Sequence, residues 1–113
     1  MRPLGGYGMR MMVKLIRIEL KDEAAARAVD ALAQKSIAAV KEFEPGTLIY
    51  VVHRVEDAPL SRVWYELFAG PDARAQHDSA EYLKRALVEL EQYVESWRVE
   101  YLDAPSGKLP GLV

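Results

Sequence analysis

The chain has 113 residues, half of them hydrophobic and 28% charged, with a formal net charge of −2 and no cysteine. That size suits one domain with a modest core. The weak negative charge offers no long-range attraction to nucleic acid or an anionic membrane, and the missing cysteines exclude disulfides, thiolate metal sites and cysteine nucleophiles. No apolar run approaches the roughly 18–20 residues of a membrane span. The opening "MRPLGGYGMRMM" lacks the apolar centre of a signal peptide. Residues 1–10 are therefore expected to be a flexible leader, and the protein cytoplasmic.

Residues 11–20, "MMVKLIRIEL", alternate with period two: Met12, Lys14, Ile16, Ile18 and Leu20 on one face of a strand, Val13, Leu15, Arg17 and Glu19 on the other. Asp22 offers an N-cap to a helix through "EAAARAVDALAQKSIAAVKEF", whose stripe is Val29, Leu32, Ala33, Ser36, Ile37 and Val40. Pro45-Gly46 stops it. Residues 47–55, a turn "EDAPL" and residues 61–69 read as an antiparallel hairpin. Gly70-Pro71 then breaks the strand and starts a short helical turn. Asp78 and Glu81 are spaced like a capping box for a second long helix through residue 97. Residues 97–102 form a last strand, and 103–113 a Pro/Gly tail.

The order β-α-β-β-α-β predicts one α+β domain over residues 11–102: a ferredoxin-like four-stranded antiparallel sheet with both helices on one face. The strands are apolar or aromatic on both faces, and a bare apolar sheet face is an aggregation hazard. A second copy packed face to face would cover it, so a homodimer is expected. The tail's closing "LPGLV" is expected to dock on the partner subunit.

Several chemistries are excluded by pattern. Two histidines and a glutamate on separate strands lack the spacing of a zinc site, so no metal is expected. The serines have no nucleophile elbow, and "GGYG" precedes the first strand, so it cannot be a phosphate-binding fingerprint. The third strand lacks the basic and aromatic signature of RNA-binding sheets.

Glu44-Pro45-Gly46, Tyr50, the run Tyr65-Glu66-Leu67-Phe68, His77, Ser79 and Tyr82 stand in an order and spacing that resembles the antibiotic biosynthesis monooxygenase domain, over roughly residues 11–102. The resemblance implies a dimeric α+β barrel. It also implies a cofactor-independent monooxygenase that oxidises a small phenolic or quinol compound with molecular oxygen. The alternative is a non-catalytic barrel that binds a small aromatic metabolite. His77 matches the family's histidine and is the candidate proton acceptor. Glu66 is the candidate that orients it or raises the basicity of a substrate group, unless it pairs with Arg17, Arg62 or Arg98. Tyr50, Trp64, Tyr65, Phe68 and Tyr82 are the candidate walls of a slot for a flat ligand. His53, on the face opposite Tyr50, is assigned to the dimer interface. The haem-degrading branch carries a histidine in the second long helix and an asparagine in the first strand. Here those stretches read "LKRALVEL" and "MMVKLIRIEL", with neither residue.

Overall fold

A computed structural model of the chain describes residues 10–109. Residues 1–9 of the expected leader and the last four of the tail lie outside the described residues. Strand β1 (Met12–Leu20) is followed by helix α1 (Glu23–Phe43). As expected, Asp22 caps α1, its carboxylate accepting the Ala25 N–H at 2.8 Å and so satisfying one of the helix's unpaired first-turn donors. Val29, Ala33 and Val40 of the stripe are buried, with Ala25 and Ala26.

Strands β2 (Thr47–Val55) and β3 (Ala58–Phe68) form the hairpin. The turn is tighter than the expected "EDAPL": Val55 already pairs with Ala58. Asp57 supplies the turn's left-handed residue at φ 59°, a conformation that aspartate tolerates better than most residues. Pro59 is accommodated because β3 pairs with β1 only from Ser61 onward, so its missing N–H costs no ladder bond on that side.

Gly70-Pro71 starts more than a single turn. Helix α2 spans Pro71–Ser79, with Pro71 in its first turn. Asp78 therefore lies inside a helix and caps nothing; helix α3 (Glu81–Leu90) begins after Ala80 with no side-chain cap. The second long helix is also shorter than its periodicity predicted. After Leu90 the chain makes a 3₁₀ turn (Glu91–Tyr93) and enters strand β4 (Val94–Leu102). Pairing with β1 decides this: Leu20 faces Val94, and the Lys21 N–H donates to the Tyr93 carbonyl at 3.0 Å. Ladder bonds outweigh a helical pattern whose last turn could equally read as strand.

The sheet is wholly antiparallel, in the order β2-β3-β1-β4, the ferredoxin-like arrangement. Ile18, Leu20, Trp64 and the small residues of α1 make the core between sheet and helices. On the other face Met11, Val13 and Leu67 form a second cluster. The chain's own Ala104 and Leu109 pack against that cluster, so the described part of the tail folds back onto this protomer's sheet. No described helix is long and apolar enough to cross a membrane.

Candidate functional site

Three chain segments meet where β3 ends, and glycine permits the meeting. A Cβ on Gly46 would lie 2.7 Å from the Cβ of Ala73, so only glycine lets α2 pack this close to the start of β2. The Ala69 N–H donates to the Gly46 carbonyl at 2.9 Å and ties the same corner. That close approach carries His77, in the last turn of α2, over the end of α1.

His77 is 1% exposed. Its Nδ1 is 2.7 Å from Oε1 of Glu44, and its Nε2 is 3.2 Å from Oε1 of Glu66. The rings of Phe68 and Tyr50 flank it, with centroids 5.4 and 5.5 Å away. Glu44 is held in turn by the hydroxyls of Thr47, at 2.7 Å, and Tyr82, both donating to its carboxylate. Apart from this ion-pair contact with Nε2, Oε1 of Glu66 is buried without a hydrogen-bond partner. An orphaned buried carboxylate oxygen is costly, and such atoms tend to mark sites of function.

Burial alone would lower the pKa of His77. The carboxylates of Glu66 and Glu44 outweigh that penalty and raise it above the ordinary imidazole value, so the ring favours its charged form. Two carboxylates then face one imidazolium, and the cluster carries an excess negative charge. Tyr50 is also pushed up: burial first, then Glu66 and Glu44, raise its pKa well above the usual phenol value, and hydrogen bonding with Trp64 and Ser36 only partly offsets this. It therefore stays a neutral hydroxyl.

Beside the cluster lies a cavity of about 70 Å³ between sheet and helices, walled by Lys14, Tyr50, Trp64, Glu66 and His77 among others. Leu87, Leu90 and Trp97 border it and also line an outer groove of about 380 Å³ between α3 and β4. Ligand pockets for compounds of ordinary size run from ~300 Å³ upward, so the inner cavity alone admits little more than a ring's edge. Movement of that shared wall would join the two spaces.

The structure thus brings His77, Glu66, Tyr50 and Trp64 together on one cavity. Phe68 and Tyr82 support it from behind, through His77 and Glu44. Tyr65, expected in the slot, is not there: it lies on the opposite face, against the Met11–Val13–Leu67 cluster. Strand alternation requires this, since Trp64 and Glu66 face the helices. His53 is exposed on the edge strand β2, paired with Val63. The arginines that competed for Glu66 are engaged elsewhere: Arg17 with Glu19 and Ser61, Arg62 with Asp30, Arg98 with Glu100. Glu44 and Lys14 were not among the expected site residues. A glutamate immediately before Pro-Gly, at the end of an apolar stripe, was the available signal for the first. Among the described residues, no set of three or more histidine and acidic side chains is arranged to hold a metal ion.

No family model matches the chain, and no curated protein sequence matches it significantly. Solved structures do match. A protein of Caulobacter crescentus named a "putative antibiotic biosynthesis monooxygenase" superposes with a TM-score of 0.77 at 26% identity, covering 87% of this chain and 92% of its own. One of the same name from Bacteroides thetaiotaomicron gives 0.75 at 24% identity, covering 92% and 95%. A Lactobacillus acidophilus protein named as a monooxygenase of the same standing gives 0.76 at 24% identity, matching 82% of this chain and 44% of that longer one.

Proposed function

We propose that this chain, which its structural relatives support as a member of the antibiotic biosynthesis monooxygenase domain family, oxidises a small phenol or quinol with molecular oxygen. The observation that carries this reading is Glu66: a buried carboxylate oxygen without a hydrogen-bond partner, beside an aromatic-walled cavity and against an imidazole. A phenolic O–H entering the cavity would supply the missing donor. Neither nitrogen of His77 is free to receive a proton, because each faces a carboxylate. The direct acceptor is therefore Glu66, and His77 positions it and spreads the charge.

The chemistry balances without an external reductant. The phenolic O–H bond breaks and its proton passes to Glu66, leaving an electron-rich phenolate. The phenolate gives an electron to oxygen, and the resulting radicals combine at a ring carbon bearing hydrogen. That hydrogen and the proton held by Glu66 leave with one oxygen atom as water, which regenerates the carboxylate and leaves the other oxygen atom as a carbonyl. A phenol and one oxygen molecule thus become a quinone and water. The apolar walls supplied by Tyr50 and Trp64 exclude water from the radical pair.

Oxygen uptake with a panel of hydroquinones and naphthols tests the reading. Glu66→Gln keeps the shape but removes the acceptor, and should slow turnover by about 10²-fold or more with little change in melting temperature. A full-rate Gln variant removes Glu66 from the mechanism. Saturable binding of the same compounds without oxygen uptake makes the protein a binder of aromatic metabolites instead.

The same reading includes a homodimer. Val51 and His53 are exposed on the sheet face away from the helices, where the described part of the tail covers only part of the apolar surface, and a second sheet would bury the remainder. Sedimentation at micromolar concentration should show a dimer; a stable monomer would overturn this part alone.

A further inference from the structure

The proposed reaction makes an anion in a cluster that already has more carboxylates than cations. Glu44 and Glu66 face a single imidazolium. Passing the phenolic proton to Glu66 leaves the net charge of the cluster unchanged, but it moves a negative charge onto the substrate oxygen, which still lacks a donor. His77 has no free nitrogen. Tyr50 offers a neutral hydroxyl. Among the described residues that line the cavity, Lys14 is the only lysine or arginine.

Lys14 stands in register with Glu66 on one side and with Tyr101 on the other. Its side chain is only 14% exposed, and its Nζ reaches out of the cavity wall to Oδ1 of Asp78 at 3.2 Å. Asp78, 39% exposed, does not depend on that partner. Nε of Arg74, one turn earlier on α2, approaches its other oxygen at 3.5 Å, and the Arg74 guanidinium lies 4.0 Å over the ring of Tyr101. The charged and titratable groups around Lys14 are thus Glu66 on β3, Tyr101 on β4, and Arg74, His77 and Asp78 on α2. Asp78 meets solvent, which weakens its hold on the ammonium, and Arg74 remains to neutralise Asp78 when Lys14 leaves.

We propose that Lys14 is the binding residue for the substrate oxyanion: its ammonium exchanges Asp78 for the phenolate oxygen as Glu66 takes the proton. This rests on the phenol reading above and narrows it to substrates held as anions once Glu66 has taken the proton. An ammonium is suited to the task, since it is a compact point charge on a flexible stem, and a charge-assisted hydrogen bond is about twice as strong as a neutral one.

The test uses 4-nitrophenol as the probe, whose ionised and neutral forms differ in visible absorption, with the wild-type chain, Lys14→Met and Asp78→Asn. Lys14→Met should weaken binding of the phenolate form by about tenfold or more and shift the bound probe toward its neutral form. Asp78→Asn releases the ammonium, so it should strengthen phenolate binding several-fold. Opposite signs support the inference. If the pair is only a latch between α2 and the sheet, both variants break the same contact and weaken binding together, which overturns the role of Lys14 and leaves the phenol reading standing. Failure of the wild-type chain to bind the probe in either form overturns the phenol reading itself, and the inference with it.

Discussion

Arg62 and His77 are both buried on the helix side of the sheet, at 4% and 1% exposure, and their surroundings differ in completeness. The Arg62 guanidinium meets one carboxylate: Nε and Nη2 donate to the two oxygens of Asp30 at 2.8 and 3.1 Å. Nη1 donates to the carbonyls of Pro59 and Ser61 at 2.9 and 2.8 Å. Every nitrogen of the guanidinium has a partner, and the exposed Arg54 adds a second contact to Asp30 at 3.2 Å. His77 meets two carboxylates, one of which keeps an oxygen without a hydrogen-bond partner. The first cluster fastens α1 to β3 and borders no aromatic cavity. The second has unused hydrogen-bonding capacity on Glu66, a residue that helps to line a cavity. Completeness of pairing, more than burial of charge, separates the structural cluster from the one proposed to do chemistry.

The largest expected effect tests the second cluster. His77→Ala leaves Glu44 and Glu66 buried without their shared cation and opens a void beside Phe68. Removing one partner from a buried ionic group costs about 3–5 kcal/mol, which urea unfolding at neutral pH would read directly. Part of that loss should return as pH falls, because the stranded carboxylates can take up protons. A cost below about 1 kcal/mol would mean that the imidazole does not hold the pair.

A smaller loss is expected from Arg62→Ala. Asp30 is 32% exposed on its side chain and keeps Arg54 at 3.2 Å, so it is not stranded once the guanidinium is gone, and the cost should lie near the lower end of the same range, about 3 kcal/mol. Residual activity should then follow the folded fraction. Activity lost well beyond the folded fraction would place Arg62 in the chemistry and undo the contrast.

The smallest effect is a pair of opposed pH slopes. The raised pKa of His77 makes its contribution complete below about pH 6.5, the unfolded value, and lost as pH rises through the folded value. Asp30 is held low, chiefly by hydrogen bonding from Arg62. Its contribution is complete above the unfolded value near pH 4 and lost as pH falls through the folded one. Denaturation midpoints across pH should show the alkaline slope shrink in His77→Gln and the acid slope shrink in Arg62→Ala. Unchanged slopes in both variants would reject these assignments.

Much of the frame was legible because it is set by local rules. Asp22 caps α1 because a carboxylate there reaches a free N–H. Pro45-Gly46 ends that helix, and alternation in β1 and β3 assigns each side chain a face. The same alternation was already sufficient to exclude Tyr65 from the cavity, since it lies between Trp64 and Glu66. The end of α3 was not legible: apolar residues from Leu87 to Trp97 suit a helical stripe and a strand alike, and the choice was made by β1, seventy residues earlier in the chain.

The sequence by itself determined the element order, the capping and stopping residues, and which faces of the strands are apolar, because those depend on neighbours within a few positions. It also supplied His77 and Glu66 as candidates, by residue type and by resemblance. Only the tertiary structure decided that Glu44, from the far end of α1, closes on Nδ1 of His77, that Glu66 joins His77 on the cavity wall with an oxygen lacking a hydrogen-bond partner, and that Lys14 borders the same space. Those contacts join residues dozens of positions apart. They exist because Gly46 lets α2 fold tightly against the sheet, and the electrostatics of the site follow from that approach.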